Sequence, residues 1–185
     1  MRSLILAASL ILAAASLICA APLPASAQQN SVAADPCARY KWDVARERAL
    51  FAGPASPITA AKDGRSPPRL ATDRAYRVEL APAEQAVFPI SPGKASPPDG
   101  NYSGILALDV PLTGDYRVAV DLPMWIDVVA NSRLVPASDY EAQHSCDAPR
   151  KIVQFALEAR KPLIVQLSGA GKAAVRIVIV RSPGD

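Results

Sequence analysis

Residues 103–130 read SGILALDVPLTGDYRVAVDLPMWIDVVA, and their apolar and polar positions sort into three successive strands. In the middle strand Tyr116, Val118, Val120 and Leu122 share one face, while Arg117, Ala119 and Asp121 share the other. A period of two is the pattern of a half-buried antiparallel strand. The turn before it, Leu112-Thr113-Gly114-Asp115, has a glycine able to take positive φ and an aspartate able to bond its own backbone. Upstream, residues 105–110 form an almost unbroken apolar run that Pro111 ends by removing a ladder donor. Downstream, Pro123 breaks the ladder and a third strand starts. Its Met124, Ile126 and Val128 face one way, and Trp125, Asp127 and Val129 the other. A sheet with one wet face would leave Trp125 and Asp127 in solvent; a sandwich edge, or a pocket lined by Trp125, accommodates them better.

The same patterning predicts strands at 75–80 and 85–90, the latter demoted to an edge by Pro89, and at 133–136, 151–160, 163–167 and 174–180. About eight strands at this spacing predict an all-β fold, an antiparallel two-sheet β-sandwich of jelly-roll type. Helical spacing occurs once. Asp35-Pro36 supplies an N-cap and a first-turn proline, and the pattern runs to Phe51 before Gly53-Pro54 stops it. Cys37, Tyr40 or Lys41, Val44, Arg48 and Phe51 fall near one side of that helix and Trp42, Ala45 and Ala49 near another, with docking expected through Trp42 and Val44. Residues 53–68 and 91–101, rich in Pro, Gly and Ser, read as loops without regular structure, and 137–149 as a polar connection.

Residues 1–27 have the form of a secretory signal peptide: Arg2, an apolar core from Leu4 to Ile18, and Ala25-Ser26-Ala27 as the cleavage site. Cys19 as a lipidated residue is disfavoured by the bulky Ile18 before it. The remaining chain divides into an N-terminal helix with a proline-rich loop, 28–72, and a sandwich domain, 73–185. A polar, small-residue stretch, 28–34, begins it. The expected location is periplasmic or secreted, with no membrane span left after cleavage.

The net charge of +3 over the whole sequence is too small to point to nucleic acid, and the basic residues Arg39, Lys41, Arg46 and Arg48 read as a solvated helix face. With Cys19 removed, Cys37 and Cys146 form an even pair in an oxidising compartment, so a structural disulfide is expected between them. It would close a loop of roughly 100 residues, worth about 4–5 kcal/mol at best.

In residues 76–181 the glycine turn followed by a Y-x-V-x-V strand, Gly114-Asp115-Tyr116-Arg117-Val118-Ala119-Val120, resembles the secreted β-sandwich modules known as pre-peptidase C-terminal domains. The acidic positions that bind calcium in some of those modules have no assignable counterpart here. The segments CARYKWDVARERALF, MWIDVV, SCDAPRK and VQLSGA are similar to those of short exported bacterial proteins of unknown function, some of which carry a homogentisate dioxygenase label. That ring-cleaving family holds iron with two histidines and a carboxylate, and this chain has one histidine, His144. The label finds no support in the residues.

Catalytic groups are hard to assemble. His144, Ser145 and Asp147 are near neighbours in sequence, whereas triad members converge from separate elements, and no G-x-S-x-G pattern occurs. Asp109, Asp121, Asp127 and Asp139 could supply a carboxylate pair for glycoside hydrolysis, and Asp99, Asn101 and Asp109 oxygen ligands for calcium, but no spacing matches a defined site. No catalytic residue, metal site or cofactor is assigned. The aromatic residues able to stack on a sugar are Trp125, Tyr102, Tyr116 and Tyr140, and the candidate ligand-binding set is Trp125, Asp127, Tyr116 and Tyr102. The expected function is a non-catalytic exported module that binds a protein or carbohydrate partner. A hydrolase or metal-dependent enzyme, and a structural envelope protein, are its rivals.

Overall fold

The computed structural model describes residues 35–95 and 101–183. The leader expected over 1–27, the polar stretch 28–34 and Asp99 lie outside the described residues. Among the described residues one helix, α1 (Ala45–Ala52), precedes twelve strands. They are β1 (Ser56–Thr59), β2 (Arg69–Ala71), β3 (Ala75–Glu79), β4 (Ala81–Pro82), β5 (Tyr102–Asp109), β6 (Gly114–Val120), β7 (Trp125–Ala130), β8 (Arg133–Val135), β9 (Ala137–Ala142), β10 (Lys151–Leu157), β11 (Leu163–Ala170) and β12 (Ala174–Arg181). No helix among the described residues is long and apolar enough to cross a membrane.

The strands form a two-sheet sandwich. One sheet has the order β1-β3-β12-β6-β10-β9 and the other β2-β5-β11-β7-β8, with β4 pairing to the end of β5. The core between them takes the alternate residues read from the sequence. Tyr116, Val118 and Val120 from β6 meet Ile126 and Val128 from β7, together with Phe155, Val165, Leu167, Ile177 and Ile179. The buried Tyr116 places its hydroxyl 2.7 Å from the Leu112 carbonyl, to which it donates, and so pins the turn that starts its own strand.

Five expectations are corrected. The sheets are mixed, because β1 runs parallel to β3 and β2 parallel to β5. Both strands come from the segment 53–71, part of which was expected to be an irregular loop; its backbone groups are satisfied by adding to existing sheet edges. Residues 137–142 are the edge strand β9 rather than a polar connection, and their mostly exposed pattern reflects that position. Residues 85–90 are not a strand: a 3₁₀ turn (Ala83–Gln85) leads to a single bridge between Val87 and Asp63. The helix is also shorter than predicted. Asp35 caps only a turn, by accepting from the Cys37 amide at 2.9 Å. Tyr40 and Lys41 are then drawn out of helical geometry by bonds to the Pro149 carbonyl and the Glu141 carboxylate. Asp43 accepts from the Ala45 amide and restarts the chain as α1.

The outer face of β6, half polar in the sequence, is also buried. Ala119, with Ala75, Ile152 and Val178, forms a second apolar cluster beneath Tyr40, Val44 and Phe51. The Cys37–Cys146 disulfide belongs to this cluster and fastens the N-terminal segment to the sandwich. Arg117 enters the same layer, its guanidinium 3.3 Å from Glu47, 2.9 Å from the Asp43 carbonyl and 5.0 Å from the centre of the Trp42 ring.

Candidate functional site

The outer face of the second sheet is where the chain leaves polar groups indoors. Trp125 and Asp127, two residues apart on β7, project to the same side, and beside them on β11 stand Ser168 and Gln166. The segment after the Val87 bridge folds over this face. Gln166 holds it by donating to the Ile90 carbonyl at 3.0 Å and accepting from the Ile90 amide at 3.3 Å, as a strand partner would. Asp127 holds it further along: one carboxylate oxygen accepts from the Gly93 amide and the other from the Trp125 indole Nε1, both at 3.0 Å. A β-carbon at position 93 would lie 3.0 Å from Asp127 and 3.4 Å from the indole nitrogen, so a larger residue there would have to displace the carboxylate slightly.

These contacts leave an open cleft of about 370 Å³, walled by Trp125 and bordered by Lys94, Tyr140, His144, Arg150 and Lys151. Lys151, the first residue of β10, crosses from the other sheet. Its ammonium donates to the Met124 carbonyl at 2.8 Å and lies 4.8 Å from the centre of the indole ring. Lys94 approaches the same ring at 5.8 Å. Burial pushes the Lys151 ammonium below the usual lysine range, and the neighbouring Lys94 pushes it the same way, against the pull of Asp127. Arg150 donates to the His144 carbonyl and lies 3.4 Å from its Nδ1. The hydroxyl of Ser168, buried in the lining, makes no hydrogen bond among the described residues.

The candidate residues separate. Trp125 lines the cleft, and Asp127, buried and bonded to the indole, stands beside it without lining the cleft. Tyr116 is sealed in the core and takes no part in it, for its ring fills the space between the sheets. Tyr102, half-buried at the start of β5, packs against the core edge and is not among the cleft residues. Tyr140, weighed only as a further aromatic residue, does line the cleft and is 67% exposed. Lys94, Lys151 and Ser168 carried no local signal, because only the sheet pairing and the covering segment bring them to Trp125.

The other candidate chemistry is dispersed. Ser145 donates to the Pro36 carbonyl and His144 faces Arg150, so neither is oriented as a nucleophile with its base. Asp109 pairs with Arg69 and Asp139 with Lys41, each at 2.6 Å. Asp121 accepts from the Arg176 amide at 2.8 Å, and burial raises its carboxyl above the usual range. Among the described residues no group of three or more His, Cys, Asp or Glu side chains could hold a metal ion.

No protein-family model and no curated protein matches the chain. Among solved structures it is similar to two of a β-glucosidase from Kluyveromyces marxianus, one selenomethionine-labelled and one in complex with glucose. Identity is 12% and 11%, with TM-scores of 0.32 and 0.33. Each alignment covers 46% of this chain and 11% of the enzyme chain, a likeness too slight to inform fold or function.

Proposed function

We propose that this chain is an exported, non-catalytic binding module that seats a carbohydrate in the Trp125 cleft. The observation that carries this reading is the tryptophan itself. It stands half-buried at the wall of a concave site, its ring nitrogen fixed by Asp127 so that the indole is positioned before a ligand arrives. A cleft of this volume, with one aromatic wall and a few polar donors, suits a small cyclic ligand. A sugar offers an apolar C–H face to the indole and hydroxyls to the polar rim, where Ser168 makes no side-chain hydrogen bond among the described residues. A flat protein interface is favoured less: the large exposed apolar side chains among the described residues are Val87, Leu112 and Tyr140, on three separate segments.

The test is an array of immobilised oligosaccharides probed with the oxidised protein and with Trp125→Ala. The wild type is expected to bind a defined set of saccharides, and the variant to lose that binding by more than tenfold, as for an aromatic anchor at a binding site. Equal binding by a folded Trp125→Ala variant would place the ligand elsewhere, and no binding by either protein would remove the carbohydrate reading.

A further inference from the structure

We infer that the ligand of this cleft is an acidic saccharide, of the uronate class, whose carboxylate is read by Lys151 together with Lys94 and Arg150. The inference rests on the carbohydrate reading above and adds the charge of the ligand to it. Three cationic side chains border one small cleft, and none of them pairs with a carboxylate among the described residues. Elsewhere Lys41, Arg46, Arg48, Arg65, Arg69 and Arg77 each have an acidic partner within 3.1 Å, while cations such as Arg39, Arg74, Arg133 and Arg160 form no ion pair among the described residues; the cleft is set apart by gathering three such cations round one concave site.

The nearby carboxylates are already committed. Both oxygens of Asp127 accept hydrogen bonds, from Gly93 and Trp125. Glu141 accepts from the Lys41 amide and from the side chain of Gln143. Lys151 is withdrawn from water and left with a backbone carbonyl as its acceptor, and Lys94 adds a second positive charge against the same ring. Like charges gathered in a partly dry cleft repel until an anion enters, and that relief is binding energy. The second observation is Ser168, a cleft-lining residue whose buried hydroxyl makes no hydrogen bond among the described residues. It can satisfy a ligand oxygen or hydroxyl that the protein leaves unmatched. An aromatic wall, cations without a carboxylate partner and a hydroxyl without a hydrogen bond among the described residues together describe a sugar ring bearing a carboxylate.

The experiment is calorimetric titration with trigalacturonate, its fully methyl-esterified form and hexaglutamate, using the oxidised protein, Lys151→Met, Lys151→Arg and Lys94→Met. Lys151→Met keeps the stem against the indole, and Lys94→Met, on an exposed segment, tests the charge where the fold is not at stake. The free acid is expected to bind the wild type about tenfold or more tighter than the ester does, the worth of a charge-assisted contact. Lys151→Met and Lys94→Met should reduce that preference, Lys151→Arg should retain most of it, and raising salt from about 50 to about 500 mM should weaken only the acid. Equal affinity for acid and ester would overturn the inference and leave a neutral-sugar site standing. Binding of hexaglutamate alone would overturn the saccharide, and no binding by any probe would remove the inference together with the reading beneath it.

Discussion

Arg117 and Glu47 form a buried ion pair, with side chains 7% and 1% exposed, in the layer that joins α1 to the sandwich. Breaking such a pair costs about 3–5 kcal/mol, because the surviving charge is stranded out of water. The two halves should not cost the same. In Glu47→Leu the guanidinium keeps the Asp43 carbonyl at 2.9 Å, Gln154 at 3.4 Å and the Trp42 ring, so the loss falls near the lower limit, about 3 kcal/mol. In Arg117→Met the Glu47 carboxylate loses its one hydrogen-bond partner among the described residues, so the loss approaches about 5 kcal/mol. Replacing both together removes two desolvation costs and should return the protein to within about 1 kcal/mol of the wild type, or above it. Urea unfolding followed by far-ultraviolet circular dichroism reads the difference. With a slope of about 1–3 kcal/mol per molar, Glu47→Leu moves the midpoint by about 1–3 M. The double variant then reveals a coupling of about 3 kcal/mol or more between the positions. Losses below about 1 kcal/mol in both single variants, or strict additivity in the double, would refute the reasoning and show that water reaches the pair.

Replacing Cys37 and Cys146 with serine should lower stability by about 4–5 kcal/mol at most, since the bridge spans a sequence separation of 109 residues; chemical denaturation of the oxidised and substituted proteins measures it. At Gly104 on β5 a β-carbon would lie 2.4 Å from that of Ala60 and 2.9 Å from Leu80, so Gly104→Ala should cost about 1–3 kcal/mol by overpacking, seen as a lower thermal midpoint. Burial, with Glu141 adding to it, raises the Tyr40 hydroxyl to about 12 from its ordinary 10.0. The stability this group contributes is therefore whole below pH 10 and is lost as pH rises toward 12. Tyr40→Phe should be about 1 kcal/mol less stable at neutral pH for want of the bond to Pro149, and that deficit should shrink above pH 10. A deficit that stays constant up to pH 11 would contradict the assignment.

The central strands were legible because their alternation is local. Tyr116, Val118 and Val120 on one face, and Met124, Ile126 and Val128 on one face of the next strand, required only a period of two. The even cysteine pair likewise announced the disulfide. Parallel β1 and β2 were hidden because short strands at sheet edges bury little and carry prolines and glycine nearby. The helix was overextended because periodicity ignores tertiary bonds, here those of Tyr40 and Lys41 to the far end of the chain. At the candidate site, Trp125 beside Asp127 left two readings open, a sandwich edge or a pocket lined by Trp125, since neither side chain suits a dry core or a wet face alone. Lys151 could not be read in the same way: it begins an ordinary β-strand and meets the indole only because the two sheets come together there. Tyr116 shows the opposite error, a sugar-stacking candidate by type that the alternation of its own strand had already assigned to the core.

The claim that a ligand seats against Trp125 is tested most directly by its fluorescence. The chain contains two tryptophans, so Trp42→Phe leaves Trp125 as the only reporter. Titrating that variant with trigalacturonate should change the emission in a saturable way, with the same dissociation constant that calorimetry gives. Calorimetric binding with no change in Trp125 emission would contradict the account, for the saccharide would then occupy another surface.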